Sequence, residues 1–165
     1  MNALDIELAV ARHFDYRQNI IVPNVSWGIY GLQYEADIVI LRPSGYGVEI
    51  EIKISSGDIK ADLRKTHRHS SILFRELWFA VPNVLDTDAN IPEYAGILSV
   101  SGKPGKLIIN RLRRPKINKT AVVWPLPSRH KLLHLGAMRI WGLKENLAAL
   151  KQRQKKSLDN FWSGS

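Results

Sequence analysis

The chain has 165 residues, no cysteine, and a formal charge of +9 with a pI near 9.9. The missing cysteines exclude disulfide staples and thiolate metal sites, and no run of about 18 apolar residues is available to span a membrane. With no charged-then-apolar leader at its start the product is expected in the cytoplasm. Its length and 45% hydrophobic content suit one domain with a real core.

Asn2 is placed to cap a first helix in which Leu4, Ile6, Leu8, Ala9, Val10 and Phe14 form an apolar stripe. Glu7 sits within that stripe, where a solvated position beside Asp5 or Arg12 is the ordinary reading. Residues 19–22 read as a first strand, and Pro23, Trp27, Gly28 and Gly31 as a loop or bent strand after it. Asp37 then stands at the mouth of a strand continued by Ile38, Val39, Ile40 and Leu41, an apolar run suited to a sheet centre. Residues 42–47 are rich in turn formers, and residues 48–54, Val-Glu-Ile-Glu-Ile-Lys-Ile, form the strand that follows.

That strand puts Glu49, Glu51 and Lys53 on one face, about 7 Å between alternate residues. A solvated outer face is the bland alternative. An antiparallel hairpin, however, brings the start of one strand beside the end of the next, so Asp37 is expected near Glu51 and Lys53. Two carboxylates supply the hard oxygen ligands that suit Mg²⁺, and a lysine beside them can orient or deprotonate water or steady charge on phosphorus. Phosphodiester hydrolysis is the chemistry this set suggests.

These residues resemble the PD-(D/E)xK nuclease superfamily, with Asp37 as its first acid and Glu51-Ile52-Lys53 as its E-x-K element. Within it the chain is most similar to MmcB-like putative DNA repair endonucleases, in which an E-I-K strand leads into a basic helix and then a strand ending F-A-V-P. Here that order appears as Glu51-Ile52-Lys53, then Asp58-Ile59-Lys60-Ala61-Asp62, then Trp78-Phe79-Ala80-Val81-Pro82. Ala36 stands where the superfamily name has proline, and Glu51 where many members have aspartate. The resemblance implies a restriction endonuclease-like α/β fold with an α-β-β-β-α-β core and mixed central sheet. It also implies Mg²⁺ or Mn²⁺ held by Asp37, Glu51 and the main-chain carbonyl of Ile52, with Lys53 acting on water and Glu7 as an optional further ligand.

Beyond Lys53, Ser55 to Asp58 signal a helix start, and residues 59–65 carry Lys60, Arg64 and Lys65 toward a nucleic-acid backbone. His67 and His69 lack companion ligands, and His130 and His134, four apart, lack the acid of a zinc-binding helix, so zinc is not expected. Residues 75–81 read as a strand closed by Pro82, with Asp86 and Asp88 in the loop beyond. Residues 96–100 and 106–110 read as an appended hairpin. Arg111, Arg113, Arg114, Lys116 and Lys119 make the densest basic stretch, and residues 128–156 a helix with a break near Gly142 and apolar positions in no single perfect stripe.

Charge divides the chain unevenly: residues 1–100 hold 9 Lys and Arg against 13 Asp and Glu, and residues 101–165 hold 15 against 2. Carboxylates for a cation in one half and cations for phosphates in the other are what a metal-dependent nuclease needs. The expected organisation is a nuclease-like domain over residues 1–127 with a basic helical extension over 128–165, acting on DNA in repair, recombination or the processing of phage or mobile-element DNA. A catalytically inactive nucleic-acid-binding module on the same fold is the rival. No membrane partner is expected, and a homodimer is left open.

Overall fold

The structure, a computed structural model, describes residues 1–26, 29, 31–63, 72–84 and 91–163, the backbone alone for 60–63 and 157–163. In chain order the elements are α1 (Ala3–His13), β1 (Ile20–Val25), β2 (Ala36–Leu41), β3 (Gly47–Ile52), α2 (Ser56–Leu63), β4 (Phe74–Pro82), β5 (Gly96–Lys103), β6 (Lys106–Arg113) and α3 (Leu126–Ser163). The strands form one open six-stranded sheet in the order β1-β2-β3-β4-β5-β6. β1, β2 and β3 pair antiparallel, β3, β4 and β5 parallel, and β5 with β6 antiparallel, so the sheet is mixed.

Local sequence explains most of these elements. Asn2 and Asp5 close a reciprocal capping box on α1, each side chain accepting the other residue's N–H at 2.9 Å. The hairpin between β2 and β3 turns at Gly45, whose φ of +84° is open to glycine at little cost. The β5–β6 hairpin joins the same sheet, and β6 runs to Arg113, three residues beyond the sequence expectation. α3 is continuous through Gly142 instead of breaking there. A glycine inside a helix weakens it by about 1 kcal/mol, which the long flanks on either side outweigh.

Both faces of the sheet are covered, which decides the environment of the candidate site. On one face, Ile6, Ala9 and Val10 of α1 cover Ile38, Val48, Ile50 and Leu98. On the other, Val39 and Leu41 pack with Trp124 and with Leu132 of α3, and Phe79 and Ile97 pack with Ile59 of α2. The irregular chain between β6 and α3 is pinned across this second face by backbone bonds from Asn118 to Arg75, Val122 to Ile72 and Trp124 to Gly45, each 2.9 Å. β3 therefore lies inside a two-sided core, and its Glu49-Glu51-Lys53 face is buried, not solvated.

Candidate active site

β2 and β3 pair with Ile38 opposite Ile50 and Val39 opposite Glu49, which carries Asp37 to the end of β3. Asp37 Oδ2 accepts the N–H of Ile52 at 2.7 Å, so its side chain takes over where the backbone ladder stops. Lys53 is anchored from the other side by its own N–H, which donates to Ala80 of β4 at 3.1 Å. Asp37, Glu51 and Lys53, far apart in sequence by the standards of a turn, thus share one end of two neighbouring strands.

Burial is nearly complete: Glu49 is 0%, Glu51 2% and Lys53 6% exposed. A carboxylate so placed needs partners, because charge in a low-dielectric interior is costly. Tyr34 donates its hydroxyl to Glu49 Oε2 at 2.9 Å. Burial together with Glu49 pushes the ionisation of that phenol far up, which keeps it a neutral donor. Lys53 Nζ donates to Glu51 Oε2 at 2.7 Å, an ion pair inside the core, and lies 6.0 Å from the Phe79 ring.

Glu51 Oε1 stands apart from these, a buried carboxylate oxygen with no hydrogen-bond partner among the described residues. Burial first, then the charge of Asp37, push the Glu51 carboxyl up to about 7, although Lys53 pulls it the other way. Among the described residues no group of three or more His, Asp or Glu side chains forms a metal cluster. Two carboxylates with one unused oxygen nonetheless fit a cation such as Mg²⁺, which takes one or two protein carboxylates and fills its other positions with water and phosphate oxygens.

Glu7 joins this neighbourhood from α1. It is half-buried, and its carboxyl is raised by burial and by Asp37 while Arg139 of α3 opposes the shift. Arg139 itself donates Nη2 to the carbonyl of Asn24, and its buried Nε has no partner among the described residues. Arg139 and Tyr34 were not singled out by sequence reasoning. Tyr34 lies beside the Asp37 strand and could have been noticed there, whereas Arg139 comes from a distant helix and carries no local signal.

The residues expected to hold nucleic acid divide. Arg64 and Lys65 lie outside the described residues, as do Trp27, Gly28, His67, His69, Asp86 and Asp88, and the Lys60 side chain is not described. Arg111 and Arg114 are exposed and line a cleft of about 590 Å³ with His13, Arg42, Glu76 and Trp78. Lys116 is exposed and faces Glu93 at 3.4 Å. Arg113 departs from the expectation, because its guanidinium donates to the carbonyls of Ala95 at 2.9 Å, Ile91 at 3.3 Å and Pro92 at 2.7 Å. That rigid fork ties β6 to the segment before β5 and is not available to a phosphate.

No family model matches the chain, and no curated protein matches it. Among solved structures the chain is similar to the SPO1766 protein of unknown function from Silicibacter pomeroyi, at 21% identity and a TM-score of 0.56, over 88% of each chain. At that identity the likeness is one of fold alone.

Proposed function

We propose that this chain is a metal-dependent endonuclease that hydrolyses DNA phosphodiester bonds, built on a restriction endonuclease-like core of the MmcB-like kind. The observation that carries the reading is Glu51: a buried carboxylate beside Asp37, held by Lys53, with one oxygen left without a partner among the described residues. Such an arrangement is destabilising in a core kept only for packing, and it becomes favourable when a cation enters.

Asp37, Glu51 and the Ile52 carbonyl would hold Mg²⁺ or Mn²⁺, with Glu7 as a further carboxylate. A divalent ion in such a site supplies Lewis-acid polarisation of a phosphoryl oxygen and a lowered pKa for bound water. Lys53, fixed through its backbone to β4 and through Nζ to Glu51, would orient the attacking water or offset charge gathering on phosphorus. Glu51 must shed its proton to serve, so activity is expected to rise with pH through about 7.

The rival, an inactive binding module, draws support from the internal pairing of Lys53 with Glu51 and of Asp37 with the Ile52 N–H, which satisfies much of the cluster without an ion. A cleavage panel of duplex, branched, single-stranded and damaged DNA and of RNA, run with Mg²⁺, Mn²⁺ and EDTA, separates the two. The nuclease reading expects ion-dependent cutting that Asp37→Ala and Lys53→Ala abolish while nucleic-acid binding survives. Cutting retained by a rigorously purified Lys53→Ala protein would overturn it.

A further inference from the structure

α3 is far longer than the surface it packs on. Leu132 is fully buried, Gly136 lies close against Val22, and Arg139 reaches Asn24, after which contact with the sheet ends. From residue 140 to residue 156 every side chain is exposed. Those 17 residues correspond to about 25 Å of helix that no described side chain covers, with Gly142 alone among them half-buried.

Most of the exposed apolar residues are ordered, with Met138 and Trp141, 56 and 63% exposed, lying off the series. Leu133, Ile140 and Leu147 recur every seven residues, and Leu143 and Leu150 fall three after the last two of them, the a and d positions of a heptad. Their exposures are 47, 56, 53, 67 and 54%. The missing member of the second set is Gly136, where the helix still lies on β1. A repeat of 3.5 residues makes a narrow seam that a second helix can follow, unlike the broad stripe of an ordinary surface helix.

Charge then selects the occupant. Positions flanking the seam hold Lys144, Lys151 and Arg153, and across 140–156 five Lys and Arg stand against one acid, Glu145. A second copy would set these cations against their equivalents in either helix orientation. An anionic bilayer favours a broad continuous apolar face with cations opposite it, whereas here cations border the seam and Lys144 lies 4.8 Å from the ring of Trp141, which is off the seam. We propose that this part of α3 is a docking seam for an amphipathic helix of another protein, one whose seam-flanking positions carry carboxylates. The proposal is independent of the nuclease reading.

The test uses the full chain and a designed four-heptad peptide with Leu at a and d and Glu at e and g, followed by calorimetry and sedimentation. The Glu peptide is expected to bind one to one, with Leu147→Asp weakening it on the order of tenfold or more. The same peptide with Lys at e and g, or with Ser at a and d, is expected not to bind. Because these positions are solvent-exposed, Leu147→Asp should leave the melting temperature unchanged, and the Lys144→Glu/Lys151→Glu variant should transfer preference to the Lys peptide. Binding of the Ser peptide as tightly as the Leu peptide, failure of the Glu peptide to bind, or self-association abolished by Leu147→Asp would each overturn the proposal. So would adsorption to phosphatidylserine vesicles that Leu147→Asp abolishes while the Glu peptide stays unbound.

Discussion

Glu51 links stability to chemistry in one side chain. Its carboxyl titrates near 7 in the folded chain against an ordinary 4.5, so the native state holds its proton more tightly than the unfolded state does. Stability from this group is fully present below about 4.5 and is lost as pH rises toward about 7, a change of roughly 3 kcal/mol. Glu51→Gln removes that titration. Urea unfolding should show the variant more stable than the parent at pH 8, by roughly 1–3 kcal/mol, with little difference at pH 5. Calorimetry with Mn²⁺ should show the variant losing whatever ion binding the parent has. A parent whose stability rises between pH 5 and 8 as the variant's stays flat would contradict the assignment of this carboxyl.

At the scale of elements, the close approach of Trp124 to β3 ties part of the second cover to the sheet. Gly47 begins β3 directly beneath Trp124, and a Cβ there would meet Trp124 Nε1 at 2.7 Å and the Leu73 carbonyl at 2.8 Å. That carbonyl also accepts the Trp124 indole N–H at 2.6 Å, so Gly47→Ala must displace a fully buried ring. The cost should be roughly 1–3 kcal/mol, read as a lowered denaturant midpoint and altered tryptophan fluorescence. Asn2→Ala, by comparison, removes only the α1 cap and should cost about 1 kcal/mol, seen as reduced thermal stability with the core spectrum intact.

Across the whole molecule, the acid cluster and the cleft lined by Arg111 and Arg114, which Asp15 and Glu76 also line, sit apart. Asp37 opens β2 and Arg42 follows its end, about 16 Å of strand away, and Arg42 lines the cleft that holds Arg111 and Arg114. Nucleic acid engaging both must span the length of the strands. Arg111→Ala and Arg114→Ala are each expected to weaken DNA binding and to flatten its dependence on salt by about one phosphate contact, with stability changed by less than about 0.5 kcal/mol. Arg113→Ala should behave differently, costing roughly 2–4 kcal/mol of stability by removing the donor from the Ala95 and Ile91 carbonyls, while Pro92 keeps only the Ala95 N–H. Equal effects of Arg111→Ala and Arg113→Ala on folding would show that the fork is not structural.

Period-two alternation put Glu49, Glu51 and Lys53 on one face, the turn residues of 42–47 made β2 and β3 neighbours, and Asn2 with Asp5 fixed where α1 begins; these are local properties, and sequence contains them in full. Burial is not local. The same Glu-x-Glu-x-Lys strand would be a solvated face on an uncovered sheet, and residues from distant segments, among them Ile29, Leu32, Trp124 and Leu132, close the second face over it. Arg113 and Arg139 follow the same logic, since a cation's role depends on whether backbone carbonyls or water surround it, and those carbonyls come from distant segments. The order of chemical groups along the chain was set by sequence, while their dielectric surroundings, and so the proton on Glu51, were decided by tertiary packing.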